Sequence, residues 1–112
     1  MTACCQVTTA VDEESLAEEL AAAIVAERLA ACAQILGPVR SVYRWEGDVR
    51  HTREWLVVAK TTIARLPQLT ARIRALHRYE VPEIVSVAIA SGDRDYLGWI
   101  RRETTPTTKE SR

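Results

Sequence analysis

The sequence predicts an α+β sandwich in which a four-stranded antiparallel sheet carries two helices on one face and a long hairpin arm. Three observations carry this. Within residues 39–62 the left arm alternates with a two-residue period, Glu46-Gly47-Asp48 interrupts it, and the right arm runs out through the short apolar stretch Trp55–Ala59, the signature of two strands joined by a tight turn. Segments 12–30 and 65–76 repeat apolar residues at spacings of three and four, which gives each helix one buried stripe. Short strand-like runs at 3–10 and 84–90 flank those helices. The order is therefore strand, helix, strand, strand, helix, strand, with one more helix at the end. That is the split βαβ, or ferredoxin-like βαββαβ, arrangement, and right-handed crossovers make its first and third strands central neighbours.

The elements follow in order. In the first strand, Ala3, Cys5 and Val7 share one side, and Cys4, Gln6 and Thr8 the other. Asp12 is the expected N-cap of the first helix, with Glu13 and Glu14 where the helix dipole favours acids. Leu16, Leu20, Ala23 and Ile24 form its stripe, and its end is expected near Ala30. Glu27 lies on that stripe, either at a frayed edge or as a buried acid with a basic partner. A second strand begins at Ala31–Leu36, and Gly37-Pro38 interrupts it. In the hairpin, Ser41, Tyr43 and Trp45 share one side and Arg40, Val42 and Arg44 the other, while Gly47 supplies the positive φ of the turn. Trp55–Ala59 is an apolar run suited to a strand buried on both faces. The second helix starts near Arg65 with Pro67 in its first turn, and buries Leu66, Leu69, Ile73 and Leu76. A polar loop over 77–83 is closed by Pro82, which holds Val81 extended. Ile84–Ala90 is the last strand, Asp93 caps the last helix, and Tyr96, Leu97 and Ile100 give that helix an apolar side. The Thr-, Pro- and Ser-rich stretch 104–112 is expected to be a disordered tail, leaving 1–103 as the domain.

At 112 residues the chain is one domain, and fifteen basic residues balance fifteen acidic ones. Such a balance gives no net electrostatic footprint for nucleic acid or anionic lipid. No apolar run reaches the length of a membrane span, and the first residues lack a leader pattern. A cytoplasmic location is expected. Cys4, Cys5 and Cys32 are odd in number and form no C-x-x-C pair, so they are read as buried thiols. An arm carrying Tyr43, Trp45 and Trp55 into water is an apolar ribbon that a soluble monomer avoids. One sheet face also lacks a helix, and a symmetric oligomer would cover both.

The sequence resembles the CutA, or CutA1, divalent-cation tolerance proteins over about residues 7–100. The resemblance rests on Thr9-Ala10-Val11-Asp12-Glu13, Leu29-Ala30-Ala31-Cys32, Ser41-Val42-Tyr43-Arg44-Trp45-Glu46-Gly47 and Lys60-Thr61-Thr62. It continues through Tyr79, Val81-Pro82-Glu83-Ile84, Gly92-Asp93 and Asp95-Tyr96-Leu97-Gly98-Trp99. It implies a ferredoxin-like subunit, a homotrimer built through the hairpin, a link to tolerance of copper or another divalent cation, and no catalysis. The family's copper-ligand positions fall on Thr8, Leu76 and His77, of which only His77 is a good donor.

From the residues themselves, Lys60, Tyr79, Glu80 and Glu83 are candidates for a cleft at a subunit boundary. The alternative is that Lys60 pairs with Glu27, Glu80 or Glu83 as a structural ion pair. His77 also suits a helix C-terminus without any metal, and adjacent Cys4 and Cys5 are a rival, adventitious copper trap. No Gly-rich phosphate loop or organic-cofactor motif occurs, and neither His51 nor His77 has a nucleophile in a recognisable pattern. Two functions stand: a metal-tolerance trimer that binds metal weakly or indirectly, and a small-molecule-sensing trimer analogous in fold to the PII signalling proteins. The central strands lack the stacking aromatics of an RNA-binding sheet.

Overall fold

In the computed structural model, which describes residues 2–106, the chain runs β1 (Cys4–Val11), α1 (Glu14–Ala26), β2 (Cys32–Trp45), β3 (Asp48–Thr62), α2 (Leu66–Leu76), β4 (Val85–Ala88) and α3 (Arg94–Thr104). The sheet order is β2-β3-β1-β4, antiparallel throughout, so β1 and β3 are the central pair that the crossover rule demands. Cys5, Val7 and Val11 of β1 and Val57 and Ala59 of β3 point to one face. There they meet Leu16, Leu20 and Ile24 of α1 and Leu69 and Ile73 of α2. Pro67 sits in the first turn of α2 as expected.

Thr9 lies on the same face at 1% exposure, and its hydroxyl has no hydrogen-bond partner. A buried, unpaired hydroxyl destabilises a fold by about 1–3 kcal/mol. Thr9→Val is therefore expected to raise the melting temperature, by several degrees for a domain of this size, and a calorimetric scan showing no rise would contradict the assignment.

The helix ends depart from expectation. The N-cap of α1 is Glu13, not Asp12, and no side chain caps it; the Glu13 carboxylate instead meets Arg78 at 3.1 Å. The C-terminus comes at Ala26 rather than near Ala30, because Arg28 adopts φ 60°. The N–H of Leu29 bonds the Ile24 carbonyl and that of Arg28 the Val25 carbonyl, the pairing of a Schellman turn. The Arg28 side chain then donates to the Arg102 and Thr105 carbonyls at the end of α3, at 2.8 and 3.1 Å. Glu27, at the C-cap, forms a two-pronged pair with Arg72 of α2 at 2.9 and 3.0 Å while half exposed. Both readings of this residue thus hold in part: it is an edge acid, and it has a basic partner.

Cys4 points away from α1 and α2. It joins Ala31 and Ile100, with Ile89, Leu97 and Trp99 packed around them, so α3 covers one end of the face expected to be bare. The rest of that face stays open, with Leu36 and Val87 about half exposed. Asp93 caps α3, accepting from the Tyr96 N–H at 3.0 Å. α3 extends to Thr104, which is buried, so the tail cannot begin there; residues 107–112 of that expected tail lie outside the described residues. β4 is shorter than the predicted 84–90.

β2 and β3 run on past the end of β1, where Val11 pairs with Trp55, and residues 39–54 pair only with each other. Their turn has Glu46 at φ 50° and Gly47 at φ 82°, the two left-handed residues of a type I′ hairpin. Gly37 and Pro38 do not end the strand. They form a bulge, with the register passing from Leu36–Leu56 to Val39–Glu54 so that two residues oppose Trp55. A Cβ on Gly37 would lie 2.5 Å from Trp55 Cδ1. Trp55 faces the helices and packs on the core, so it anchors the base of the arm and is not carried into water with Tyr43 and Trp45.

Candidate functional site

The two-residue period sends Ser41, Tyr43 and Trp45 to one face of the arm. The register sets Val39 opposite Glu54, so Glu54 shares that face. The loop after α2 folds back towards it, and together they enclose a cavity of about 720 Å³ lined by Tyr43, Trp45, Glu54, Arg78, Tyr79, Glu80 and Glu83. Tyr43 donates to or accepts from Thr52 Oγ1 at 3.0 Å. Glu54 is buried, and the Tyr79 hydroxyl donates to its Oε2 at 2.8 Å. Burial first, then the hydrogen bond and charge of Glu54, push the Tyr79 phenol well above its ordinary value.

His77 ends α2 in an extended conformation. Its Nδ1 accepts the Tyr79 N–H at 3.1 Å, and its Nε2 lies 2.8 Å from the Ala10 carbonyl. A backbone N–H can only donate and a carbonyl can only accept, so the proton sits on Nε2. Both ring nitrogens are engaged, and the ring serves as a clip between the loop and β1. Leu76 packs on the core, while Thr8 lies on β1 between Val58 and Val85. Cys4 and Cys5 belong to separate packing clusters on opposite faces, and burial, then Cys4, raises the Cys5 thiol. Among the described residues no three His, Cys, Asp or Glu side chains are placed to hold a metal ion. The donor set does not fit a copper centre.

The structure brings Tyr79, Glu80 and Glu83 to one cavity but not Lys60. That lysine sits on β3 between Gln6 and Cys32 and donates to Gln34 Oε1 at 3.2 Å. None of its expected acidic partners is engaged with it: Glu27 has taken Arg72, and Glu80 and Glu83 line the cavity. Glu54 and Arg78 were not expected there. The signal for Glu54 was an acid immediately before the apolar run Trp55–Ala59, in phase with Leu56 and Val58.

The family model described as CutA1 divalent ion tolerance protein matches residues 5–103. The chain is 48% identical over 94 residues to the divalent-cation tolerance protein CutA of Thermus thermophilus, covering 84% of this chain and 91% of that protein. It is 38% identical over 94 residues to the rice protein named CutA 1, chloroplastic, covering 84% of this chain and about half, 53%, of that protein. The solved structure of the divalent cation tolerance protein of Thermus thermophilus superposes with a TM-score of 0.89 at 45% identity, covering 91% of this chain and 99% of that one. With the sheet order, the hairpin and the Tyr79–Glu83 loop already in place, these matches agree on one conclusion: the chain belongs to the CutA1 divalent ion tolerance protein family.

Proposed function

We propose that this protein serves divalent-cation tolerance as a non-catalytic, cytoplasmic homotrimer that acts on metal indirectly and holds no copper of its own at the His77 site. The observation that carries the metal part is the double engagement of the His77 ring, which leaves no lone pair for a cation. The trimer is supported by the half-open sheet face and by the Tyr43 face of the arm, whose Tyr43 is 40% exposed in a single chain. Light scattering at micromolar concentration is expected to return three times the chain mass, and a monomer mass would refute the assembly.

Equilibrium dialysis against copper tests the metal reading. His77→Ala is expected to retain as much copper as the wild type, and so is Cys4→Ser/Cys5→Ser, because those two thiols are buried on opposite faces and cannot close on one ion. Loss of most bound copper in His77→Ala alone would overturn it. The cavity beside Tyr79 and Glu54 favours a second reading, a small-molecule-sensing trimer with ligand clefts between subunits. Dialysis against ATP under the same conditions separates the two.

A further inference from the structure

The charge balance of the whole sequence conceals a cationic strip on the arm. Arg40 and Arg53 are direct cross-strand partners, and His51 and Arg44 follow on the same side. All four are exposed. Like charges set directly opposite one another destabilise a hairpin, so a neutralising carboxylate is expected nearby. Among the described residues, Arg40, Arg44 and Arg53 take part in no ion pair. Of the three acids of the arm, Glu46 meets Arg50, Glu54 binds Tyr79 on the opposite face, and Asp48, paired with Trp45, lies on that opposite face too. Arg28, Arg50, Arg72 and Arg78, by contrast, each have a carboxylate within 4 Å.

Arg53 is also held in place. Its guanidinium carbon lies 5.6 Å from the centre of the Trp55 ring, and Trp55 is fixed on the core. Arg40, Ser41, His51, Thr52 and Arg53 together line a shallow cup of about 250 Å³. Two guanidinium forks and an imidazole around a cup of this size match the oxygens of a phosphate-type anion, which arginine engages through paired N–H donors. We propose that Arg40 and Arg53, assisted by His51, form a binding site for a diphosphoryl group on the arm face turned away from Tyr43 and Trp45. The site goes beyond the tolerance reading, and none of Arg40, His51 and Arg53 lines the Tyr79 cavity, although Ser41 borders both.

Calorimetric titration with pyrophosphate in metal-free buffer, against sodium chloride at matched ionic strength, tests it. The wild type is expected to show saturable binding with pyrophosphate only. Arg40→Gln and Arg53→Gln should each weaken it about tenfold, as expected for loss of a charge-assisted contact. Arg94→Gln, on exposed α3, should leave it unchanged. Without ligand, Arg40→Gln should raise the melting temperature, because it removes the like-charge pair. Heats that sodium chloride reproduces, or equal weakening in all three variants, would overturn the site.

Discussion

Gly37→Val is expected to lower the unfolding free energy by about 3 kcal/mol, at the upper end for an overpacked site. The position opposes Trp55 inside the bulge, and a Cβ there would come within 2.9 Å of two atoms of the indole. The indole cannot retreat, because it packs on the core beneath α1 and α2. The chain must then move β2 away from β3 or shift the register, and a shift of one residue would turn Tyr43 and Trp45 to the opposite face. Gly47→Ala is the control. It meets no atom within 4 Å, so it should lose only the left-handed backbone preference, about 1–2 kcal/mol. Urea unfolding of both variants measures the difference, and equal losses would show that the indole contact is not what reserves position 37 for glycine.

Tyr79→Phe is expected to lower stability at neutral pH by about 2 kcal/mol, as for loss of a hydrogen bond to a charged group. It strips the hydroxyl that donates to the buried Glu54 carboxylate. The same contact makes a pH prediction. The folded phenol ionises above its unfolded value of about 10. Its contribution is therefore complete below pH 10 and is lost as pH rises from there towards the higher folded value, because only the unfolded chain releases the proton. Wild-type stability should fall over that alkaline range, and Tyr79→Phe should flatten the slope. Part of the slope should persist through Tyr96, which its bond to Cys32, then burial, also raises. An unchanged slope in Tyr79→Phe would remove the contact from the account.

The arm was legible because its left half keeps a two-residue period, Gly47 marks where it turns, and the apolar run Trp55–Ala59 supplies the returning strand. The central pairing of β1 and β3 was legible from chain topology alone. What escaped was whatever depended on contacts distant in sequence. Nothing local to Cys4 announces that Ile100 covers it, and so the open face looked barer than it is. The end of α1 was hidden because an arginine, not a glycine, takes the left-handed turn. The site was legible only in part: Tyr79, Glu80 and Glu83 follow one another in a short loop, whereas Glu54 joins them through a bulge that resets the register. His77 looked like a free ligand because both of its partners are main-chain groups, one of them on β1.

Arg28 has a consequence for how the protein tolerates change. Its backbone ends one helix and its side chain secures the end of another, so two unrelated demands converge at one position. Glycine would relieve the first and abandon the second, releasing the Arg102 and Thr105 carbonyls. Lysine would keep a cation there but lose the paired geometry, and asparagine would suit the turn yet has a shorter reach. The best residue for the turn and the best residue for the clasp are therefore different amino acids. A single substitution at this position therefore gives up one of the two tasks. Because both acceptors are main-chain carbonyls that any residue supplies, the whole demand falls on position 28, although its partners lie some seventy residues away along the chain.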